Sequence, residues 1–295
     1  MDTPSIPVRT VTAQPPGWGA RLAAAARFPA LVARHRDLLA AFVRRDVQAR
    51  FQGSVLGRLW PLLQPGLLFG LYYLVFVSIL KFRFDEAGLK GAQVPLWLFL
   101  GVILWGAFAT TIQRATVSIV DNGNLVKMAT FPSELLPLSI ALAEGAVFGL
   151  AFAVYAALHV ALGLPVPASA LLLPLLLPGL LAFALGVSLF TAAAHVFVRD
   201  TANLVSLGLT FWMFLTPVFW PAANLAKGLP PTFSAVLREN PMYHAVEGAR
   251  ALVGLYGEAP LPWGSIVALL AEGGVALLLG YSYFLGARQR FVDEI

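Results

Sequence analysis

The 295-residue chain contains no cysteine. Disulfides, thiolate metal sites and cysteine nucleophiles are therefore excluded. Charge is also scarce: Asp, Glu, Lys and Arg make up 12% of the residues, against about 25% in a soluble domain. That is too little to cover a water-facing surface. No G-x-x-x-x-G-K-[ST] phosphate loop occurs, so the chain is not a self-contained P-loop ATPase. Neither H-E-x-x-H nor a G-x-S-x-G nucleophile elbow is present, which removes two familiar hydrolase chemistries. The four histidines, His35, His159, His195 and His244, are scattered without the spacing of a metal-ligand set. No cleavable signal peptide is expected: Arg9, Arg21 and Arg27 punctuate the first 30 residues, and the run 22–26 is too short for an apolar core.

What the chain has is apolar sequence in long blocks, with 59% hydrophobic residues. A helix needs roughly 20 residues to cross about 30 Å of hydrocarbon. Six spans are expected, over about 62–80, 94–112, 136–160, 171–197, 204–220 and 266–285. The fourth contains Pro174 and Pro178 and is expected to tilt or break there. The fifth is close to the short limit. The fold class is thus an all-α polytopic membrane protein. With six spans both termini share one side. That side carries fourteen of the 20 Lys and Arg residues and the other carries six, namely Lys81, Arg83, Lys90, Lys227, Arg238 and Arg250. The positive-inside rule puts both termini in the cytoplasm and the 81–93 and 221–263 segments outside. The net charge of +5 lies mostly beside the spans, so it points to membrane lipid and not to nucleic acid.

Three divisions follow: a cytoplasmic tail (1–36), an amphipathic helix and linker (37–59) and a six-helix transmembrane domain (60–295). In the stretch 37–52, Leu38, Leu39, Phe42, Val43, Val47 and Phe51 form one face, and Arg44, Arg45, Asp46, Gln48 and Arg50 the other. Such a helix suits the interface, with Arg44, Arg45 and Arg50 toward anionic lipid. Between spans five and six, about 221–263, Asn240-Pro241 reads as a helix start and Gly257 as its stop. This outer segment is expected to be re-entrant. Glu144 and Glu272 fall inside spans three and six, with no basic residue expected at depth to pair with them. Each is either a lining group of a transport path or a structural hydrogen-bonding group between helices; Gly145, Gly273 and Gly274 nearby favour close packing. Tyr72, Tyr73, Trp105, Phe211, Trp212 and Phe214 sit deep enough to line a conduit for sugar, or to pack against lipid. Trp60, Trp97, Trp220 and Trp263 suit an aromatic belt.

The stretch 44–65, RRDVQARFQGSVLGRLWPLLQP, closely resembles the N-terminal signature of type-2 ABC exporter permeases of the polysaccharide, O-antigen and teichoic-acid export family. Asn124-Leu125-Val126-Lys127 with Phe131-Pro132-Ser133-Glu134 is similar to that family's loop between spans two and three. Arg199-Asp200 with the 211–221 stretch, and Asn240-Pro241-Met242, agree in the same order. Gln52 departs, since the family more often has a basic residue there. The resemblance implies a homodimeric permease for a lipid-linked polysaccharide, driven by a separate ABC ATPase subunit. ATP and Mg would bind on that partner, with no cofactor or metal on this chain. The loop of about 113–135 would then hold the ATPase-coupling residues Asn124, Leu125, Val126, Lys127, Phe131 and Pro132. Alternatives are a type-2 permease for a drug or lipid, a membrane-embedded transferase and a secondary transporter. A transferase would need convergent His, Asp or Glu at one membrane face, and a secondary transporter internal repeats; the sequence suggests neither.

Overall fold

The computed structural model describes residues 17–50, 60–79, 89, 91, 93–128, 131–222, 230–257 and 260–295. Gln52 with the rest of the 51–59 signature, the end of the first span at Leu80, most of the 81–93 loop and residues 223–229 lie outside the described residues. Regular structure among the described residues is entirely helical. The order is α1 (Trp18–Ala25), α2 (Phe28–Arg34), α3 (Arg36–Ala49), α4 (Trp60–Tyr72), α5 (Gln93–Asp121), α6 (Gly123–Val126), α7 (Leu135–Ala161), α8 (Leu176–Phe197), α9 (Thr201–Leu215), α10 (Pro231–Arg238), α11 (Pro241–Leu252), α12 (Trp263–Ala287) and α13 (Phe291–Glu294). α4 runs on as wider π-helical turns over Tyr73–Ile79, and a 3₁₀ stretch over Ala168–Leu175 leads into α8.

Four stretches are long and apolar enough to cross a membrane: Gln93–Asp121, Leu135–Ala161, Ala168–Phe197 and Trp263–Glu294. Leu63–Val75 and Thr201–Leu215 are apolar but shorter. The expected break in the fourth span falls where Pro174 stands inside the 3₁₀ stretch, just before α8 begins at Leu176. Proline has no amide hydrogen and crowds the preceding turn, so a tighter 3₁₀ entry relieves it. α5 is the hub. Its 29 residues span about 44 Å at 1.5 Å each, and α4, α7, α8, α9 and α11 all pack on it. Residues 113–121 continue this helix, so the loop to α7 is shorter than the sequence suggests.

The closest helix pair is α8 with α12. Gly179 and Gly186 are seven residues apart on α8, and Gly273 and Gly280 seven apart on α12, which keeps each pair on one helix face. A Cβ on Gly186 would run into the backbone of Ala276, and one on Gly280 into the carbonyl of Gly186. Small residues thus let the two backbones touch, as helices without a hydrophobic driving force between them require. Of the three glycines expected to pack, Gly273 does so; a Cβ on Gly145 or Gly274 would meet open space.

The tail, for which the sequence suggested no elements, is helical over most of its described part. α1 and α2 lie at the end of the bundle shared with α13, here called the terminal end. Phe28 stacks edge-on against Tyr281, ring centroids 4.8 Å apart, and Arg21 covers Gly286.

Candidate functional site

At the terminal end the amphipathic α3 packs on α7. Leu39 is buried, Phe42, Val43 and Val47 are half-buried, and Arg44 and Arg45 are exposed. Asp46 and Arg50 turn inward, where Arg114 of α5 and Glu144 of α7 meet them. Arg114 Nη2 donates to Asp46 Oδ1 at 2.5 Å, and its Nη1 donates to Asp46 Oδ2 at 3.0 Å and to Glu144 Oε1 at 2.8 Å. Arg50 Nη1 donates to Glu144 Oε2 at 3.1 Å, and its Nη2 to Oε1. Glu144 therefore has two basic partners, contrary to the expectation of none. Two arginines and two carboxylates neutralise one another, which removes most of the cost of an isolated charge among apolar helices.

Beside this cluster lies an open-sided cavity of about 530 Å³ between α4, α5 and α7. Arg50, Gln64, Thr110 and Glu144 give it a polar floor, and Trp60 and Phe148 are among its apolar walls.

The loop after α5 is a compact plate. One helical turn, α6, carries exposed Asn124, half-buried Leu125 and buried Val126, followed by exposed Lys127 and Met128. Phe131 packs edge-on against Phe42 of α3 at 5.9 Å, and Pro132 is half-buried. Glu134 is fully buried and accepts from Arg288 Nη1 at 2.9 and 3.0 Å and from Tyr281 Oη at 3.2 Å. The loop is so tied to α3, to the end of α12 and, through Gly123 against Ile295, to the C-terminus.

The opposite end is organised by Arg250. α9 stops at Leu215 because Thr216 is extended and Pro217 follows. The carbonyls of Pro217 and Val218 are left without helical partners. Arg250 of α11, 0% exposed, takes both, at 2.5 and 3.0 Å. It also donates to Trp97 O from Nε and Nη2 at 3.2 and 3.0 Å and to Glu247 Oε1 at 2.7 Å. Its guanidinium stands 3.4 Å from the Trp97 ring centroid. Only glycine fits at 101, where a Cβ would collide with Arg250 Nη2. Trp97 Nε1 donates to Tyr256 Oη at 2.8 Å, and Tyr256 Oη donates to Glu247 Oε2 at 2.8 Å. Burial, and then the Glu247 carboxylate, hold the Tyr256 hydroxyl above the ordinary phenol range, so it stays a donor.

Asn240 caps α11 by accepting from Met242 N at 3.0 Å, with Pro241 in the first turn, as expected. It also accepts from Trp212 Nε1 at 2.9 Å and donates to Thr216 Oγ1 at 3.0 Å. The helix stops earlier than expected. Gly254, at φ 78°, lets Leu255 N reach back to Arg250 O at 3.1 Å, so the stop lies three residues before Gly257.

Five of the six aromatics fall into two groups, and Tyr72 stands apart. Trp105, 6% exposed, and half-buried Trp212 join Phe108 and Phe183; Trp212 lies 6.2, 5.3 and 5.9 Å from those three rings in turn. Tyr73, Phe211 and Phe214 are 45%, 65% and 63% exposed. Tyr72 is half-buried and meets Phe219 at 6.3 Å, which sets the end of α4 beside the break after α9.

The sequence profile of a family described as ABC-2 type transporter matches residues 37–253, from the start of α3 to the cap of α11. The O-antigen export system permease protein RfbA of Myxococcus xanthus is 29% identical over 263 residues, 89% of this chain and 96% of that protein. A protein of the same name from Klebsiella pneumoniae is 26% identical over 261 residues, 87% of this chain and 94% of its own. With helices of membrane-spanning length and a profile match over most of the fold, the chain belongs to the ABC-2 type transporter family, as a transport subunit and not an enzyme.

Proposed function

We propose that the chain is the transmembrane subunit of an ATP-driven exporter of a lipid-linked polysaccharide of O-antigen, capsule or teichoic-acid type. The observation that carries this reading is similarity over nearly the whole length to proteins named O-antigen export permeases. Two copies enclose the path in the cytoplasmic membrane, each with six spans and cytoplasmic termini. Separate ABC ATPase subunits bind ATP and Mg. They dock on the plate around Asn124–Lys127 and Phe131–Pro132, whose ties to α3 and α12 suit it to pass rigid-body motion into the bundle. Arg44 and Arg45 meet anionic lipid. The cavity beside Arg50 and Glu144, with a polar floor and apolar walls, suits the head of a lipid-linked substrate. Tyr73, Phe211 and Phe214 line the conduit from α4 and α9, backed by Tyr72, Trp105 and Trp212.

The test is a clean deletion of the coding sequence in the native host. Surface polysaccharide should disappear and precursor should accumulate on the inner leaflet. Wild-type chain should restore export and co-purify with an ATPase subunit. The N124D/K127E/M128D variant should lose both, because these three exposed side chains lie on the proposed docking face. Unchanged surface polymer in the deletion strain would overturn the polysaccharide reading.

A further inference from the structure

At the end away from the termini, the turn after α10 presents Glu239, the first turn of α11 presents His244, and α12 presents Glu272. One ligand atom from each comes together, all within 4.8 Å of one another. His244 Nε2 lies 3.9 Å from Glu272 Oε1, and the two side chains are 13% and 25% exposed. Among the described residues, His244 Nε2 and Glu272 Oε2 are buried atoms with no hydrogen-bond partner. Unsatisfied buried polar atoms on two neighbouring side chains cost stability unless something joins them. The other imidazole nitrogen is engaged: Nδ1 lies 3.4 Å from Ser265 Oγ. With Nδ1 on the Ser265 side, Nε2 is the nitrogen toward Glu272, and when Nδ1–H donates to Ser265 the Nε2 lone pair is the one presented, as for a metal-bound histidine with a supporting hydrogen bond.

We infer that Glu239, His244 and Glu272 form a site for a divalent cation of the zinc class, joining the outer segment to α12. One imidazole and two carboxylates suit a borderline ion, and two carboxylates balance its charge inside the bundle. Ligands at about 2.0–2.2 Å from zinc stand roughly 3.3–3.5 Å apart in a tetrahedron, so the three groups need to close by up to about 1.5 Å. Glu239 is exposed on a turn and free to swing in; the other two start nearly in place. The fourth position is left for water. No local spacing signals the site, because the three residues come from three elements. The site does not depend on the export reading. A cation here would hold α11, and with it the Arg250 clamp, against α12.

The experiment uses the full chain, carrying a tag without histidine, in lipid nanodiscs. Equilibrium dialysis against Zn²⁺ buffered by a chelator, followed by elemental analysis, should find one zinc per chain, and zinc should raise the melting temperature. H244N and E272Q should each weaken binding at least about tenfold, and E239Q by less. The control H35N should bind as wild type. Should H244N or E272Q fail to fold, E239Q and Co²⁺ spectra of the wild type, with d–d bands of a four- or five-coordinate ion, decide the matter. No stoichiometric zinc at micromolar free metal, or zinc retained equally by H244N, E272Q and E239Q, would overturn the site.

Discussion

Arg250 shows how one side chain can hold an irregular backbone inside a bilayer-embedded fold. The chain leaves helical geometry after α9, and the carbonyls freed there are buried in protein beside Arg250 and cannot turn to water. A planar guanidinium with five donors answers several carbonyls at once, which a lysine ammonium cannot do with the same reach. Trp97 beneath it supplies both a carbonyl and a ring face, and Glu247 balances the charge. Replacing Arg250 with Met strands Glu247 and three carbonyls together. The expected loss is about 3–5 kcal/mol, read as a fall in the unfolding midpoint of the detergent-purified chain. R250K should fall between R250M and wild type, and R250M/E247Q should recover part of the loss. A midpoint unchanged in R250M would show that the carbonyls find other partners.

At the scale of elements, the α8–α12 contact rests on backbone touching backbone. Gly280→Ala forces the two helices apart, at a cost of about 1–3 kcal/mol for an overpacked interface. Gly274→Ala, six residues earlier on the same helix and facing open space, should be neutral or stabilise by up to about 1 kcal/mol through helix propensity. Opposite signs in thermal unfolding are the expected outcome; equal effects would mean that the interface is not where the stability lies. The long helices were legible because an apolar run of span length has few other solutions. The Asn240-Pro241 start was legible because capping is local chemistry, and so was the trouble at Pro174. Pairings between distant elements were not. Glu144 finds Arg114 and Arg50, 30 and 94 residues away, and no local pattern reports such a meeting. Arg250 was counted among outer loop charges because a charge tally by segment cannot distinguish a solvated arginine from a buried one. The glycine rule named Gly273 and Gly274 alike, since helix phase against an unknown neighbour decides which of the two touches. α1 and α2 escaped notice because short helices draw their stability from docking, here on α12, and not from their own sequence.

On the scale of the whole molecule, a single chain leaves α4 and α9 with apolar faces bare. Leu67, Leu71 and Leu74 are exposed along the first, and Leu204, Leu207, Phe211 and Phe214 along the second. The second set recurs every three to four residues, the spacing of one helix face. Lipid or a second copy must cover these surfaces, and the proposed dimer places part of them on the path. A polysaccharide cannot cross about 30 Å of hydrocarbon unaided, because its hydroxyls would lose water without replacement. Fixed charges would grip it, whereas aromatic faces touch the C–H faces of sugar rings weakly and repeatedly, so the polymer slides. Tyr73, Phe211 and Phe214 can take that role without repacking. Trp105 and Trp212 are engaged with Phe108, Phe183 and Asn240 and in the proposed path would only back its wall. Y73A/F211A/F214A should therefore cut polymer export severalfold while the dimer and the ATPase association survive. W212A should instead lower thermal stability, by opening the aromatic cluster and freeing Asn240. Photoreactive residues at 73, 211 and 214 should capture polymer or its lipid-linked precursor during export. Normal export by the triple variant, with crosslinks to phospholipid alone, would place these side chains on the lipid side and move the path to another face of the chain.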